Sequence, residues 1–173
     1  TSLSNLSNLS LIRLDIAENR ITSLSPLASM KLGWLDCRGN AVTSLKTLHG
    51  MPITYVSCGE NKIERMDGLS SPRLKTLDAK NNNITSLDGL LTEHLTVLDL
   101  SHNQVSSLEP LRGTSIADLN LDRNRIRSIE PLAGMDLRSL SLSINMIEDL
   151  SPLRNQTRLE RLSAKINAIR DVE

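Results

Sequence analysis

The chain has no phenylalanine, a single tryptophan and a single tyrosine, so any core it builds must be aliphatic. It has two cysteines, Cys37 and Cys58, too few for a disulfide framework. It has no excess of either charge. Twenty basic and twenty acidic side chains balance, which argues against a phosphate-backbone binder or a polybasic membrane anchor. No apolar run approaches the roughly 18 residues of a membrane helix. The marks of catalysis are missing too. His49, His94 and His102 are scattered, and no CxxC or HxxxH metal spacing, glycine-rich phosphate loop or GxSxG elbow occurs. The sequence reads as a non-enzyme with no cofactor, no metal and no small-molecule substrate. No signal peptide is visible. The opening TSLSNL carries no initiating methionine, so the chain is expected to be a segment of a longer protein.

What is present is a repeat. Asparagine recurs at Asn19, Asn40, Asn61, Asn82, Asn103, Asn124, Asn145 and Asn167. The spacing is 21 residues throughout except for the last step, 167 − 145 = 22. A period this regular marks an array whose units bury their apolar side only by stacking on one another. The extra residue falls within Asn155-Gln156-Thr157-Arg158, which predicts a slightly longer loop there.

The stretch LTVLDLSHNQVSSLEPL, residues 95–111, shows the unit best. Leu95, Leu98 and Leu100 give one short strand, Asn103 marks a turn, and Val105, Leu108 and Leu111 give a return leg. The return leg is too short for an ordinary helix. In four repeats it carries Pro26, Pro110, Pro131 or Pro152, which removes an amide donor, so extended or 3₁₀ segments are predicted. The strands are expected to stack in parallel at about 4.8 Å per repeat. A buried asparagine at each turn would form a ladder, pairing its amide with the backbone of its own and the adjacent turn. Neither end shows a polar cap: Ser2 to Leu9 already match a return leg, and the last repeat stops at Val172, in the column of Leu24.

The pattern LxxLxLxxNxIxxLxxL, with its return-leg prolines, resembles the leucine-rich repeats. It is similar to the short-repeat class shared by bacterial internalins and the leucine-rich regulatory subunit of protein phosphatase 1. That class uses 22 residues per unit, where this chain uses 21. The resemblance covers essentially residues 1–173 and implies one domain, an α/β-type repeat solenoid with little or no α-helix. It would be a curved array of about eight repeats, with the parallel sheet on the concave side and extended or 3₁₀ segments on the convex side. It also implies a protein-protein interaction module: an intracellular scaffold or regulatory subunit, in keeping with cytoskeletal, centrosomal and spindle-pole scaffolds that carry similar repeats. The alternative implied by internalins is a secreted or surface-exposed adhesin. Cytoplasmic localisation goes with the first and extracellular localisation with the second.

Site residues follow from the strand pattern. The residues between the strand leucines face away from the core. The lone Trp34 and the lone Tyr55 occupy one such column in adjacent repeats, and exposed Trp and Tyr on a rigid surface have the composition of a binding hot spot. They are the expected partner-binding anchors, with Arg13 and Arg38 flanking them and Asp36, Asp78, Lys80 and Asp99 supplying charge matching. The bland reading is that the two rings only stack on each other, and that the aspartates are repeat consensus. The expected partner is a protein, with no nucleic acid and no membrane insertion. Cys37 and Cys58 share an inward column. In-register neighbours have poor disulfide geometry, so buried free thiols are expected, which favours a reducing compartment. Four N-x-S/T sequons, at Asn5, Asn8, Asn83 and Asn155, matter only in a secreted protein.

Overall fold

The computed structural model describes residues 3–6, 8–90 and 93–170; Val172 and Ser2 lie outside them. Each repeat forms one three-residue strand: β1 Arg13–Asp15, β2 Trp34–Asp36, β3 Tyr55–Ser57, β4 Thr76–Asp78, β5 Val97–Asp99, β6 Asp118–Asn120, β7 Ser139–Ser141 and β8 Arg161–Ser163. They make one parallel sheet in chain order. The register is strict, so that Arg13, Trp34, Tyr55 and Thr76 are successive partners across the sheet. The 22-residue step leaves this intact, since Ser139 still pairs with Arg161. The added residue is taken up in the loop before β8, where the Gln156 side chain donates to the Leu132 carbonyl at 2.8 Å.

The core is one continuous aliphatic stack. Leu35, Val56 and Leu77 are fully buried in one column, as are Ile63, Ile84 and Val105 in another. At the last strand the pattern opens: Leu162 is 46% exposed where its counterparts Leu98 and Leu140 are at 1%.

Return legs come in two forms, and sequence decides between them. Ser25–Leu27, Lys46–Leu48, Glu109–Leu111, Glu130–Leu132 and Ser151–Leu153 are single 3₁₀ turns. In four of these five, proline stands at a first-turn position, where no amide donor is needed and φ is already suitable. Where the sequence has Asp67-Gly68 or Asp88-Gly89, the 3₁₀ turn gives way to a turn with positive φ, 85° at Gly68 and 82° at Gly89. An extended bridge joins Arg65 to Ser86 there. These glycines also permit close stacking, since a Cβ on Gly89 would lie 2.9 Å from the Asp67 Cα.

The asparagine ladder has the predicted form. Asn103 Oδ1 accepts the Ile84 amide of the preceding repeat at 2.9 Å. Its Nδ2 donates to the carbonyls of Leu100 and Ser101 in its own turn and of Ala79 in the turn before, at 3.0 to 3.2 Å. The same pattern recurs at Asn40, Asn61, Asn82, Asn124, Asn145 and Asn167. Asn19 is exposed, bonds only to Ile16 and Ala17 of its own turn, and receives no amide among the described residues.

The periodicity did not reveal one feature of this turn. The residue just before each ladder asparagine is left-handed, with φ between 51° and 65°: Glu18, Gly39, Glu60, Asn81, His102, Arg123, Ile144 and Ile166. Only Gly39 is free of the Cβ penalty, and β-branched Ile144 and Ile166 carry the largest.

Two stability measurements check this description. Asn103→Ala strands the Ile84 amide and several carbonyls, and is expected to lower unfolding free energy by about 3 kcal/mol, whereas exposed Asn19→Ala costs under ~1 kcal/mol. Equal effects in denaturant titration would contradict the ladder. Ile144→Asn places a residue tolerant of positive φ at a strained position and is expected to raise stability by about 1 kcal/mol, or roughly 2 to 4 °C in Tm.

Candidate functional site

The sheet register brings three of the expected residues into one stack. Arg13, Trp34 and Tyr55 are in-register partners on β1, β2 and β3. The Trp34 and Tyr55 rings lie parallel within 4°, their centroids 5.2 Å apart. The Arg13 guanidinium carbon sits 3.5 Å from the Trp34 ring centroid, within the range of cation–π attraction. Both rings are half-buried and Arg13 is exposed. The rings thus do stack on each other, and they also keep an accessible surface. Neither the indole N–H nor the phenol hydroxyl has a hydrogen-bond partner among the described residues. On the far side of Tyr55 the column drops to Thr76 and then Val97, which is 36% exposed. The result is a tall aromatic wall beside a low shelf.

Arg38 takes a different place. It lies outside the stack and pairs with Asp36, Nε to Oδ2 3.8 Å. Lys80 pairs with Asp78 in the same way at 3.6 Å.

Asp36 departs from the expectation of an outward, available carboxylate, being only 6% exposed. Its Oδ1 accepts the Arg38 amide at 3.1 Å. Asp15, Asp78 and Asp99 do the same for the amides of Ala17, Lys80 and Ser101, and Asn120 for that of Asp122. This carboxylate column closes the chain as it leaves each strand, an Asx turn that leaves one oxygen committed to the backbone. At the serine strand β7 the Asp122 side chain supplies the oxygen instead, accepting both the Ser141 hydroxyl and the Ser143 amide. Asp99 spends its second oxygen on the Asn120 side chain at 3.1 Å. The aspartates therefore have a structural occupation, which offsets the repulsion between Asp15 and Asp36 and between Asp78 and Asp99 on neighbouring strands.

Reading only the strand columns missed a second group. Lys31, Arg73 and Lys75 lie in the segments that lead into β2, which carries Trp34, and β4, the strand next to Tyr55. All three are exposed and none forms an ion pair among the described residues. Their signal was available in the sequence, three residues before Trp34, three before Thr76 and one before Thr76, but only to a reader who extended the columns past the strands. Glu93 is an exposed acid on the same edge.

Cys37 and Cys58 are separate free thiols, both fully buried. Burial, and secondarily the Asp36 charge, pushes the Cys37 thiol up from 9.0 to about 12. Burial also raises Cys58 well above its usual value, with Cys37, Asp78 and Asp36 adding to it. Neither is a nucleophile in the folded state. His49, His94 and His102 are on separate repeats. Among the described residues no group of His, Cys, Asp or Glu is arranged to hold a metal ion, and no helix is long and apolar enough to cross a membrane.

An in-register parallel sheet with an asparagine ladder and 3₁₀ return legs defines a repeat-built solenoid. The chain belongs to the leucine-rich-repeat family, as its 31% identity to an internalin over 73% of that protein shows; within it, the profile described as leucine-rich repeats in two copies matches residues 93–134. Among solved structures it is similar to internalin C2 of Listeria monocytogenes, with 31% identity and a TM-score of 0.79 over 93% of this chain and 73% of that one. It is also similar to another internalin (inlF) of the same organism, with 25% identity, a TM-score of 0.75, and coverage of 100% of this chain but 60% of that one. The plant peptide hormone receptor RGFR1, solved in complex with RGF2, shares the fold alone, at 17% identity and a TM-score of 0.68 over 95% of this chain and 33% of the receptor. No curated protein sequence gives a significant match.

The buried thiols make a direct test. A shift from 9.0 to about 12 lowers the thiolate fraction at pH 8 by about 1,000-fold, so alkylation of Cys37 in the native protein should run at the rate of transient unfolding. The folded pKa lies above the unfolded one, so the thiol's contribution to stability is fully present below pH 9.0 and is lost as pH rises towards about 12. Rapid labelling by iodoacetamide in native buffer, or a flat stability profile over that alkaline window, would refute the burial.

Proposed function

We propose that the chain is a protein-recognition module that binds its partner on the open face of the sheet, with Trp34 and Tyr55 as anchors. The observation that carries this reading is the Arg13–Trp34–Tyr55 stack. A protein with two aromatic residues in 173 sets both, side by side, on a rigid surface where neither completes the core. Large side chains held in place by mutual stacking lose little entropy on binding, which is what hot-spot residues require. Arg38 and Lys80, half-neutralised by Asp36 and Asp78, would tune orientation more than strength, as rim charges do.

For setting, the reading is an intracellular scaffold or regulatory subunit. Two buried free thiols suit a reducing compartment. The likeness to two internalins supports a second reading, a surface-exposed adhesin. Fractionation of the source cells separates the two.

The recognition proposal is tested by capturing partners from source extract with the native chain, with Trp34→Ala/Tyr55→Ala and with Arg127→Gln, a remote control. The double variant is expected to lose at least tenfold in affinity for the captured protein, about 1.4 kcal/mol, while the control retains it. Equal recovery by all three would place the binding surface elsewhere.

A further inference from the structure

The chemistry left unspent around the stack specifies what fits it. We infer that the site takes an acidic, extended protein segment bearing a flat side chain: the flat group lies on the free face of Tyr55 above Thr76 and Val97, and the carboxylates meet Arg13 and the basic edge beside it. This rests on the open sheet face being the binding surface.

Three observations point to it. First, the polar capacity of the wall is almost all donor. Arg13 has no ion pair and the Trp34 N–H no partner among the described residues, while the Tyr55 hydroxyl is free to donate. A partner must bring acceptors. Second, the charge on the adjoining edge is one-sided although the whole chain is neutral. Lys31, Arg73 and Lys75 carry no counter-ion among the described residues; at this end of the edge they face the acid Glu93, while Glu160 and Asp136 at the far end are paired with Arg138 and Arg158. On the opposite side the cations are already engaged, Arg38 by Asp36 and Lys80 by Asp78. Asp15 is exposed, but one of its oxygens holds the Ala17 amide. Third, the stack has one open end. Trp34 is covered on one face by Arg13 and on the other by Tyr55. The register places Tyr55's second face towards β4, where Thr76 leaves a step. A ring there continues an offset stack at the spacing already set, 5.2 Å between centroids.

The dimensions suit an extended polypeptide running across the strands. From the Arg13 guanidinium to Trp34 is 3.5 Å and from Trp34 to Tyr55 is 5.2 Å. One more step of about 5 Å puts the flat group some 14 Å from Arg13, or about four residues of extended chain. Single-stranded nucleic acid also combines anions with stacking groups, but here the rings stack on one another, leaving one face for a base, and Asp15, Asp78 and Asp99 line the floor. A carboxylate on every second or third residue of a peptide is the better match to this mixed field.

The one tryptophan reports on its own site. Binding of the fluorescein-labelled peptide Asp-Ser-Glu-Ser-Tyr-Ser-Asp, whose first carboxylate stands four residues from the ring, is followed by anisotropy and by Trp34 emission. It is compared with the same peptide carrying Leu for Tyr, with one carrying Lys for every acid, and with oligo-dT of equal charge. The acidic tyrosine peptide is expected to bind, to perturb Trp34 emission, and to weaken at least tenfold on Tyr55→Ala and on Arg13→Gln, and severalfold on Lys75→Gln, with Arg127→Gln unchanged. The Leu version should be weaker and the Lys version should not bind. Circular dichroism on each variant separates misfolding from lost contacts, and Tyr55→Phe, which keeps the ring, should restore binding. The inference is overturned by indifference to the acid-to-Lys change, by no binding of any peptide, or by oligo-dT binding more tightly through the same residues. If the native chain still captures a protein that Trp34→Ala/Tyr55→Ala loses, the sheet-face reading survives and only the acidic-segment chemistry fails.

Discussion

The asparagine ladder is the interaction on which the molecule depends. A solenoid of three-residue strands has few backbone groups in regular pairing and many in turns, and those turns are packed against their neighbours where water cannot serve them. One amide side chain per repeat solves this by reaching into its own turn and the previous one, as Asn61 does with Val42, Cys37, Cys58 and Gly59. The bonds to the adjacent repeat lock the stacking distance and the register together. They explain why an extra residue before β8 is absorbed in a loop and not in the ladder. Seven side-chain-bearing residues stand in left-handed backbone at these turns, Ile144 and Ile166 among them, a local cost that the surrounding bonds over-determine.

Fixed register has a functional consequence. Because each strand is aligned with the next, any column of the sequence becomes a line of neighbours across the sheet. Placing Arg13, Trp34 and Tyr55 in one column was sufficient to build a stack with a 4° interplanar angle. A one-residue slip in register would turn these side chains to the other face of the sheet and undo the stack. The rigidity that comes from backbone accounting is thus the preorganisation that a hot spot needs.

The aspartate column shows how a repeat confuses structural and functional signals. Asp36, Asp78 and Asp99 stand beside the aromatic pair and have the look of a recognition surface. In the folded chain each gives an oxygen to an amide two residues on, and Asp36 is buried as well. What distinguishes the surface is where the pattern is broken: tall rings among short side chains, and cations at Lys31, Arg73 and Lys75 that have no ion pair among the described residues, where the other end of the same edge pairs Arg138 with Glu160 and Arg158 with Asp136.

The sequence by itself determined the fold. A 21-residue period, the LxL strands, the turn asparagine and the return-leg prolines each have one structural solution, and they agree. The ladder, the two buried thiols and the pairing of Trp34 with Tyr55 were all legible because they repeat or share a column. The tertiary structure alone decided what lies between columns. The left-handed residue before each asparagine carries no sequence mark, since Glu, Arg, His and Ile all occupy it and the turn itself imposes the conformation. The commitment of the aspartates to backbone amides depends on how the chain leaves each strand, and the counter-ions that Arg13, Lys31, Arg73 and Lys75 lack among the described residues become visible only when side chains are set at real distances. Local pattern fixes a repeat because its forces act between near neighbours in the chain, whereas accessibility and charge balance are sums over residues that only folding brings together.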